Sequence, residues 1–468
     1  MSHRIVVIGA GPGGYVAALH AASLGAEVTV VERADTGGTC LNWGCIPSKI
    51  MKTSADVLEK MEKAREFAIE LGGTASIDMT ALIARKNRIV EVQRKGIEQL
   101  FAKRGVTYRK GHASITDDAT ITVTCVEGTS FDIPWNRIII AVGSVPAELP
   151  SMAFDHRHIL SSDDVFTLDH VPESLIIVGG GVIGCEFAGI FSSLGTSVTL
   201  VEALSRLLPL PSVDEDCSRE LLRAFKKRKI AVKMGCTVSG VDTKNGNVEA
   251  RVTKFAGDGV APSKGISLVQ AEKMLVCVGR SQALDGLHCE KIGVERDDRN
   301  WIVADNRMAT NVPGVYAVGD ALGPSKVMLA HAASAEGIVA AENAMGGDRK
   351  MDYGLVPGAI FTSPEVANVG LSETEARDKG YDVVTHAALF RAVGKAHVLG
   401  EIEGKCKIVS DEKTGRILGV HIIGPHATEI IAEGTLAVKK GVTVEDLAGT
   451  IHAHPTLSEI MELSAGRE

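Results

Sequence analysis

The stretch GAGPGGYVAALHAASLGAEVTVVE, residues 9–32, returns without a gap as GGGVIGCEFAGIFSSLGTSVTLVE, residues 179–202. Eleven of the 24 positions are identical at a distance of 170 residues: Gly9, Gly11, Gly14, Ala18, Ser23, Leu24, Gly25, Val28, Thr29, Val31 and Glu32 each meet their match. The chain therefore contains a duplicated supersecondary unit. Each copy follows an apolar run, RIVVI or SLIIV, that reads as a strand. Each then shows Gly-x-Gly-x-x-Gly, a helical stretch, a glycine stop and a second strand closing on Glu. One such glycine pattern is weak in a chain with 50 glycines, but two in a strand–turn–helix setting, each with a carboxylate 23 residues after its first glycine, are strong.

The physics of the pattern is that of a dinucleotide site. The first glycine (Gly9, Gly179) makes the turn, the second (Gly11, Gly181) lets backbone approach a pyrophosphate, and the third (Gly14, Gly184) lets helix and strand pack closely. The N-terminus of the helix then offers unpaired N–H groups to the phosphates. Glu32 and Glu202 stand where an acid accepts hydrogen bonds from an adenosine ribose, and an acid there repels a 2′-phosphate, so Glu202 favours NAD over NADP. Two dinucleotide sites in one chain imply two cofactors passing electrons, one a nicotinamide and one a flavin.

Composition narrows the class further. At 468 residues the chain exceeds one hydrophobic core, and 45% hydrophobic with 23% charged residues describes an ordinary globular protein of several domains. The net charge of −8, with acids and bases interspersed, argues against nucleic acid and against an anionic membrane surface as partners. The opening MSHRIVVIGAGPGGYVAALHAASLG has the basic-then-apolar look of a secretory signal, but four glycines within six residues suit a tight turn instead. No apolar run is long enough for a membrane span. Nine cysteines, an odd number without framework spacing, suit a reducing compartment, cytoplasmic or, for a eukaryotic source, the mitochondrial matrix.

Along the chain, SADVLEKMEKAREFAIEL and MTALIARKNRIVEVQRKGIEQLFAKR have helical periodicity on either side of the breaker GGTAS, and 106–142 reads as a small meander ending in the buried strand RIIIAVGS. A Lys-Asn-Gly-Asn turn at 244–247 predicts a hairpin. EKMLVCVGR reads as another buried strand and glycine turn, and GVYAVGDALG ends a strand at Gly319 and Asp320, where a carboxylate could meet a chain of hydroxyls. From about 350 the pattern is α+β with no glycine fingerprint. No metal-ligand spacing stands out.

In GGTCLNWGCIPSK, residues 37–49, Cys40 and Cys45 are either a redox pair or two of nine cysteines five positions apart by chance, and spacing alone leaves both open. Together with VYAVGD, HAHPTLSE (452–459) and the two glycine fingerprints, however, this stretch resembles the flavin-dependent pyridine-nucleotide disulfide oxidoreductases over essentially residues 3–463. Among these the chain is most similar to the branch that oxidises protein-bound dihydrolipoamide and reduces NAD. The resemblance implies an α/β fold: two Rossmann-like domains, for FAD and NAD, and a C-terminal α+β dimerisation domain. The expected boundaries are 1–149 for the first part of the FAD domain, 150–271 for the NAD domain, 272–349 completing the FAD domain, and 350–468 for the interface domain. It also implies one tightly bound FAD per chain, NAD, a homodimer, and as partner the lipoyl-bearing protein of a 2-oxo acid dehydrogenase or glycine cleavage complex. A glutathione-reductase-like enzyme is the alternative within the class, and a redox-idle docking subunit the alternative outside it.

By the same resemblance Cys40 and Cys45 form the redox disulfide, Cys40 meeting substrate and Cys45 lying against the flavin. Lys49 corresponds to the lysine near the flavin's reactive nitrogen and Glu186 to its ion-pair partner, although an acid there also suits a helix N-terminus unaided. His454 and Glu459 resemble the acid–base pair; His452 lacks that spacing. A thiol of pKa about 8.5 is mostly protonated at neutral pH, so a carboxylate-supported imidazole suits dithiol oxidation. Gly38, Thr39, Ala113, Gly143, Ser144, Asp320, Ala330 and His331 join the FAD set with Gly9, Gly11, Gly14, Glu32, Cys40 and Lys49. Ile183, Val238, Gly279 and Arg280 join the NAD set with Gly179, Gly181, Gly184, Glu186 and Glu202. Trp43 stands where the family more often has a small aliphatic residue, and Val142 and Ser363 also depart from its common choices.

Overall fold

The structure is a computed structural model that describes residues 3–244, 246–255, 257 and 266–466. It divides into two compact units, residues 1–50, 80–147 and 279–353 in the first and 51–79, 148–278 and 354–468 in the second.

The first unit is built on a parallel sheet of five strands in the order Val315–Ala317, Arg137–Ile140, Arg4–Ile8, Glu27–Glu32, Thr107–Lys110. Ile5, Val6, Val7 and Ile8 are all buried, as are Ile138, Ile139 and Ile140. A parallel sheet needs such continuous apolar runs because both its faces are covered. The helices Pro12–Ser23 and Ala330–Ala344 pack together in this unit. The expected meander is in part a three-stranded antiparallel sheet, His112–Ile115, Thr120–Thr124 and Ser130–Pro134, but its first segment, Thr107–Lys110, joins the parallel sheet.

The second unit repeats the plan. Its parallel sheet runs Ala231–Met234, Ser197–Glu202, Ser174–Val178, Lys273–Val276, Ile159–Leu160. The expected hairpin forms between Cys236–Lys244 and Asn247–Lys254, although turn residue 245 lies outside the described residues. Ser267–Ala271 adds a third strand to it. The C-terminal region is a five-stranded antiparallel sheet, Gly358–Ile360, Glu365–Gly370, Ile417–Gly424, Lys405–Asp411, Val383–Leu389, and the helix Ala427–Lys440 packs on its strands Glu365–Gly370 and Ile417–Gly424.

Two expectations shift. The boundary placed at 271/272 moves to 278/279, because Lys273–Val276 pairs with Ser174–Val178 inside the second parallel sheet and cannot complete the first. The first of the two predicted helices ends at Glu62, with a single 3₁₀ turn over Ala64–Phe67, rather than running to residue 71. Phe67, Ile69 and Leu71 are exposed, so a helical continuation would bury little of its apolar side.

Candidate active site

The two glycine turns have nearly the same geometry. Gly9 and Gly179 have φ of +103° and +107°, a region that favours glycine, and each faces a carbonyl that a Cβ would strike, at 2.2 Å from Ala141 O and 2.3 Å from Cys277 O. A Cβ on Gly14 or Gly184 would fall 1.9 Å from the carbonyl oxygen of Gly9 or Gly179 respectively. The helices that follow, Pro12–Ser23 and Val182–Ser193, have glycine at the N-cap, no side-chain cap and no acid in the first turn. Their N-termini are left for an anion.

The carboxylates are matched as well. Glu32 is buried and accepts from the N–H of Ala10 at 2.7 Å and of Ala34 at 2.8 Å. Glu202 is buried and accepts from Gly180 at 2.5 Å and Leu204 at 2.7 Å. Each oxygen thus has one backbone donor and keeps lone-pair capacity for a hydroxyl. Gly9, Glu32 and Ala113 line one cavity with Val142, His112 and Asp285. Three residues of the expected FAD set therefore line one cavity.

A second group of that set gathers around Ser144. Its hydroxyl donates to Asp320 at 2.6 Å and accepts from Arg280 Nε at 2.5 Å, while Arg280 Nη2 donates to the Ser144 carbonyl at 2.8 Å. Arg280, expected among the NAD contacts, is thus engaged with two residues of the FAD set, and Gly279 lies in the same unit. Val238, also expected to meet NAD, has its side chain buried in a core with Val248 and Ala250. Ile183 is half-buried in the helix after the second turn. Ala330 opens the helix that carries the exposed His331, and Gly143 has a positive φ.

Glu336 was missed. It is fully buried, accepts from the N–H of Gly319 at 2.6 Å and from the Tyr353 hydroxyl at 2.8 Å, and so fixes the backbone that presents Asp320. Burial pushes its carboxyl above the usual carboxylate range, against the pull of those two donors. The signal was an acid inside the alanine-rich helix AHAASAEGIVAAENA.

Cys40 sits in the short helix Gly38–Asn42, and Cys45 begins the helix Cys45–Glu62, one turn before Lys49. A Cβ on Gly38 would lie 2.6 Å from Gly11 Cα, so the redox helix starts against the first glycine turn. Both cysteines are thiols; Cys45 is exposed and Cys40 half-buried. The Cys40 thiol is pushed up strongly by its hydrogen bond with Cys45, then by burial and by charge on Cys45, while the Lys49 ammonium pulls it down. The two sulfurs are therefore in hydrogen-bond contact, with the Lys49 ammonium near enough to act on Cys40. Elsewhere, burial pushes the Cys277 and Cys406 thiols up to about 12, which leaves them unreactive at neutral pH. Trp43, between the reactive pair, is 40% exposed.

In the second unit His454 Nδ1 lies 2.8 Å from Glu459 Oε1, and Glu459 Oε2 accepts from the N–H of Thr456 at 2.9 Å. These contacts, the histidine first, hold the Glu459 carboxyl below its ordinary range. With Nδ1–H donated to the carboxylate, Nε2 is left as the basic nitrogen, and the ring is three-quarters exposed at 75%. His452 is different: Nε2 meets Glu433 at 2.9 Å, Nδ1 meets the Thr450 carbonyl at 3.0 Å, and the side chain is buried. Neither of its nitrogens is open to a substrate. Glu186 is buried and accepts from the N–H of Phe361 at 2.9 Å.

Comparison with known proteins agrees with this geometry. Residues 3–337 match the family model of the pyridine nucleotide-disulphide oxidoreductases, and residues 356–465 match that family's dimerisation domain. The chain belongs to this family. As an oxidoreductase of this family it uses FAD and NAD, and the two caged carboxylates and uncapped helix N-termini suit two dinucleotides. The chain is 40% identical over 462 residues to a dihydrolipoyl dehydrogenase of Chlamydia muridarum, covering 98% of this chain and 95% of that protein. It is 37% identical over 463 residues to a mitochondrial dihydrolipoyl dehydrogenase of Pisum sativum, covering 98% and 90%. A leghemoglobin reductase of Glycine max is also 37% identical over 463 residues, covering 98% and 86%. The crystal structure of LpdA from Mycobacterium tuberculosis superposes with a TM-score of 0.90 at 28% identity, covering 99% of each chain. Among the described residues, no helix is long and apolar enough to cross a membrane, and no three or more His, Cys, Asp or Glu side chains gather in a way that could hold a metal ion.

Proposed function

We propose that this oxidoreductase oxidises protein-bound dihydrolipoamide to lipoamide and reduces NAD. The observation that carries the reading is the Cys40–Cys45 pair, in hydrogen-bond contact, under the charge of Lys49, at the end of the first dinucleotide turn. The dihydrolipoyl dehydrogenases that match nearly the full chain support the choice of substrate.

In the oxidised enzyme Cys40 and Cys45 form a disulfide. His454 Nε2 takes a proton from one substrate thiol, and the resulting thiolate attacks Cys40 Sγ. The Cys40–Cys45 bond breaks and Cys45 leaves as a thiolate, which Lys49 stabilises. The second substrate thiol, deprotonated in turn, attacks the substrate sulfur of the mixed disulfide; lipoamide departs and Cys40 recovers its proton. Bound FAD supplies the acceptor for the electron pair, which passes on to NAD. Glu459 holds the imidazole in the tautomer this needs. Glu202 selects NAD, since a 2′-phosphate would meet a fixed negative charge.

The His454–Glu459 couple of one protomer serves the cysteines of its partner in a homodimer; the exposure of His454 in the single chain is in keeping with that. The lipoyl group comes from the carrier protein of a 2-oxo acid dehydrogenase or glycine cleavage complex. A reducing compartment, cytoplasm or mitochondrial matrix, suits a chain whose nine cysteines lack framework spacing.

The test is anaerobic titration of the flavoprotein with dihydrolipoamide, followed by NAD. A long-wavelength thiolate–flavin band should grow and NADH should form. The band should be lost in Cys45→Ser and kept in Cys40→Ser; the reverse would exchange the two assignments. Reduction by glutathione with NADPH formation, but not by dihydrolipoamide, would overturn the substrate.

A further inference from the structure

The redox turn is tied down by a residue far away in sequence. Asn42 ends the helix Gly38–Asn42, between Cys40 and Cys45, and is buried. Its amide nitrogen lies within hydrogen-bond reach of three carbonyls, those of Asp35 at 3.3 Å, Thr36 at 3.2 Å and Gly38 at 2.9 Å. One side chain thus folds the loop leaving the strand Glu27–Glu32 back onto the redox helix. Its amide oxygen accepts from Arg94 Nη2 at 2.7 Å, and the same guanidinium lies 3.2 Å from the Asp35 carboxylate and 3.5 Å from Glu91. Arg94, from the helix Met79–Arg104, therefore grips both ends of the segment 35–42.

The chemistry of the two groups sets the orientation. An amide has one acceptor oxygen and two N–H donors, whereas a guanidinium only donates. Arg94 obliges the Asn42 oxygen to face it, and the amide N–H groups then face the carbonyls. Arg94 Nε is buried with no hydrogen-bond partner, so the side chain keeps this orientation while one of its own donors goes unsatisfied. Beside the clamp lies a cleft of about 450 Å³ lined by Asp35, Asn42, Trp43, Arg88 and Arg94. On that side the loop borders open space and has room to relax once the grip is lost.

We infer that Arg94 is a positioning residue for the redox pair: acting through Asn42, it holds Cys40 against Cys45 and so favours the disulfide over the dithiol. This rests on the redox role of the pair proposed above. Two thiols kept at contact distance by a rigid loop form a disulfide more readily than two on a loose one, because less conformational freedom is lost on closing the bond.

The test equilibrates the holoenzyme, without NAD, against graded ratios of reduced and oxidised dithiothreitol. Two electrons and two protons pass from dithiothreitol to the protein disulfide, giving the Cys40 and Cys45 thiols and cyclic oxidised dithiothreitol. Alkylation and mass spectrometry read the fraction of the pair that is reduced. Arg94→Ala should move the equilibrium toward the dithiol by about tenfold, the order expected for one lost hydrogen bond to a charged group. Arg94→Lys, which keeps the charge but not the fork, should fall between. In an Asn42→Ala background, Arg94→Ala should add no further shift. An unchanged equilibrium in Arg94→Ala, or the full shift persisting in the Asn42→Ala background, overturns the inference. Should Arg94→Ala not yield folded protein, Arg94→Lys decides: an equilibrium equal to that of the parent overturns the inference. A merely structural role would lower thermal stability and leave the equilibrium in place. Dihydrolipoamide takes no part, so a wrong substrate assignment shows as failed reduction by that dithiol while the Arg94 shift remains; a pair that dithiothreitol does not reduce sinks the redox reading itself.

Discussion

The two glycine–carboxylate units, 9–32 and 179–202, are near copies with different sequels. Their turns share the same positive φ, the same close approach of the third glycine to the first, and the same pair of backbone donors on the closing glutamate. After Glu32 the chain enters the redox helix within eight residues, whereas the second copy carries a buried acid, Glu186, on its own first helix. A duplicated binding unit is thus made into two functions by what is attached to it. The turn itself is common property.

The largest expected effect tests that division directly. Gly14→Val and Gly184→Val force the same collision, with Cβ 1.9 Å from a carbonyl oxygen. Gly14→Val should be isolated without flavin and without activity. Gly184→Val should keep its flavin absorbance and lose only NAD, with KM for NAD raised about 10- to 100-fold, the equivalent of roughly 1–3 kcal/mol of overpacking. Flavin loss from both variants would mean the copies are not separable. Next comes the couple that belongs to neither copy: His454→Gln should lower kcat about 10²- to 10⁴-fold with flavin content intact, as expected for loss of a general base. Steady-state rates beside the flavin spectrum decide it.

A smaller effect falls on the matched carboxylates. Glu202→Ala should raise KM for NAD about tenfold, the loss of one charged hydrogen bond, and narrow the gap to NADP, while Glu32→Ala should weaken FAD retention and leave that preference alone. Initial rates with both nicotinamides, and flavin release on dialysis, separate the two. The smallest is a matter of pH. The Glu459 carboxyl is depressed by His454 first and then by the Thr456 N–H, so its contribution is complete above the ordinary value of about 4.3 and is lost as pH falls through the depressed one. Carbon NMR of labelled glutamate should find that carboxyl titrating low in the parent and higher in His454→Ala, where the Thr456 donor remains and the histidine's is lost.

What the sequence discloses follows from where the constraint lies. The turns were readable because each demand, a positive φ or a missing Cβ, falls on a single residue type at fixed spacing. The His454–Glu459 contact was readable for the same reason, both partners lying within one short loop. The domain boundary was drawn on the wrong side of Lys273–Val276 because a buried parallel strand looks alike wherever it is inserted, and its neighbour Ser174–Val178 is a hundred residues away. Arg280 was counted with NAD on the family resemblance, and Ser144 and Asp320, which engage it, are remote in sequence. The helix expected to reach residue 71 kept its periodicity beyond Glu62 but buries little apolar surface there. Glu336 and Arg94 went unremarked because each acts through another residue, and nothing local announces that.

The caging of Glu202 reaches beyond the ribose contact proposed for it. Two backbone N–H groups, those of Gly180 and Leu204, point at one small region, and an anion that the chain itself supplies fills it. Seen in this way, the preference between nicotinamides is a competition between a tethered anion and a diffusible one for the same pair of donors. Replacing the tethered one with a small neutral residue removes the repulsion and in the same stroke frees both donors. Redirecting this chain toward the phosphorylated cofactor therefore begins with a deletion, before any new cation is introduced.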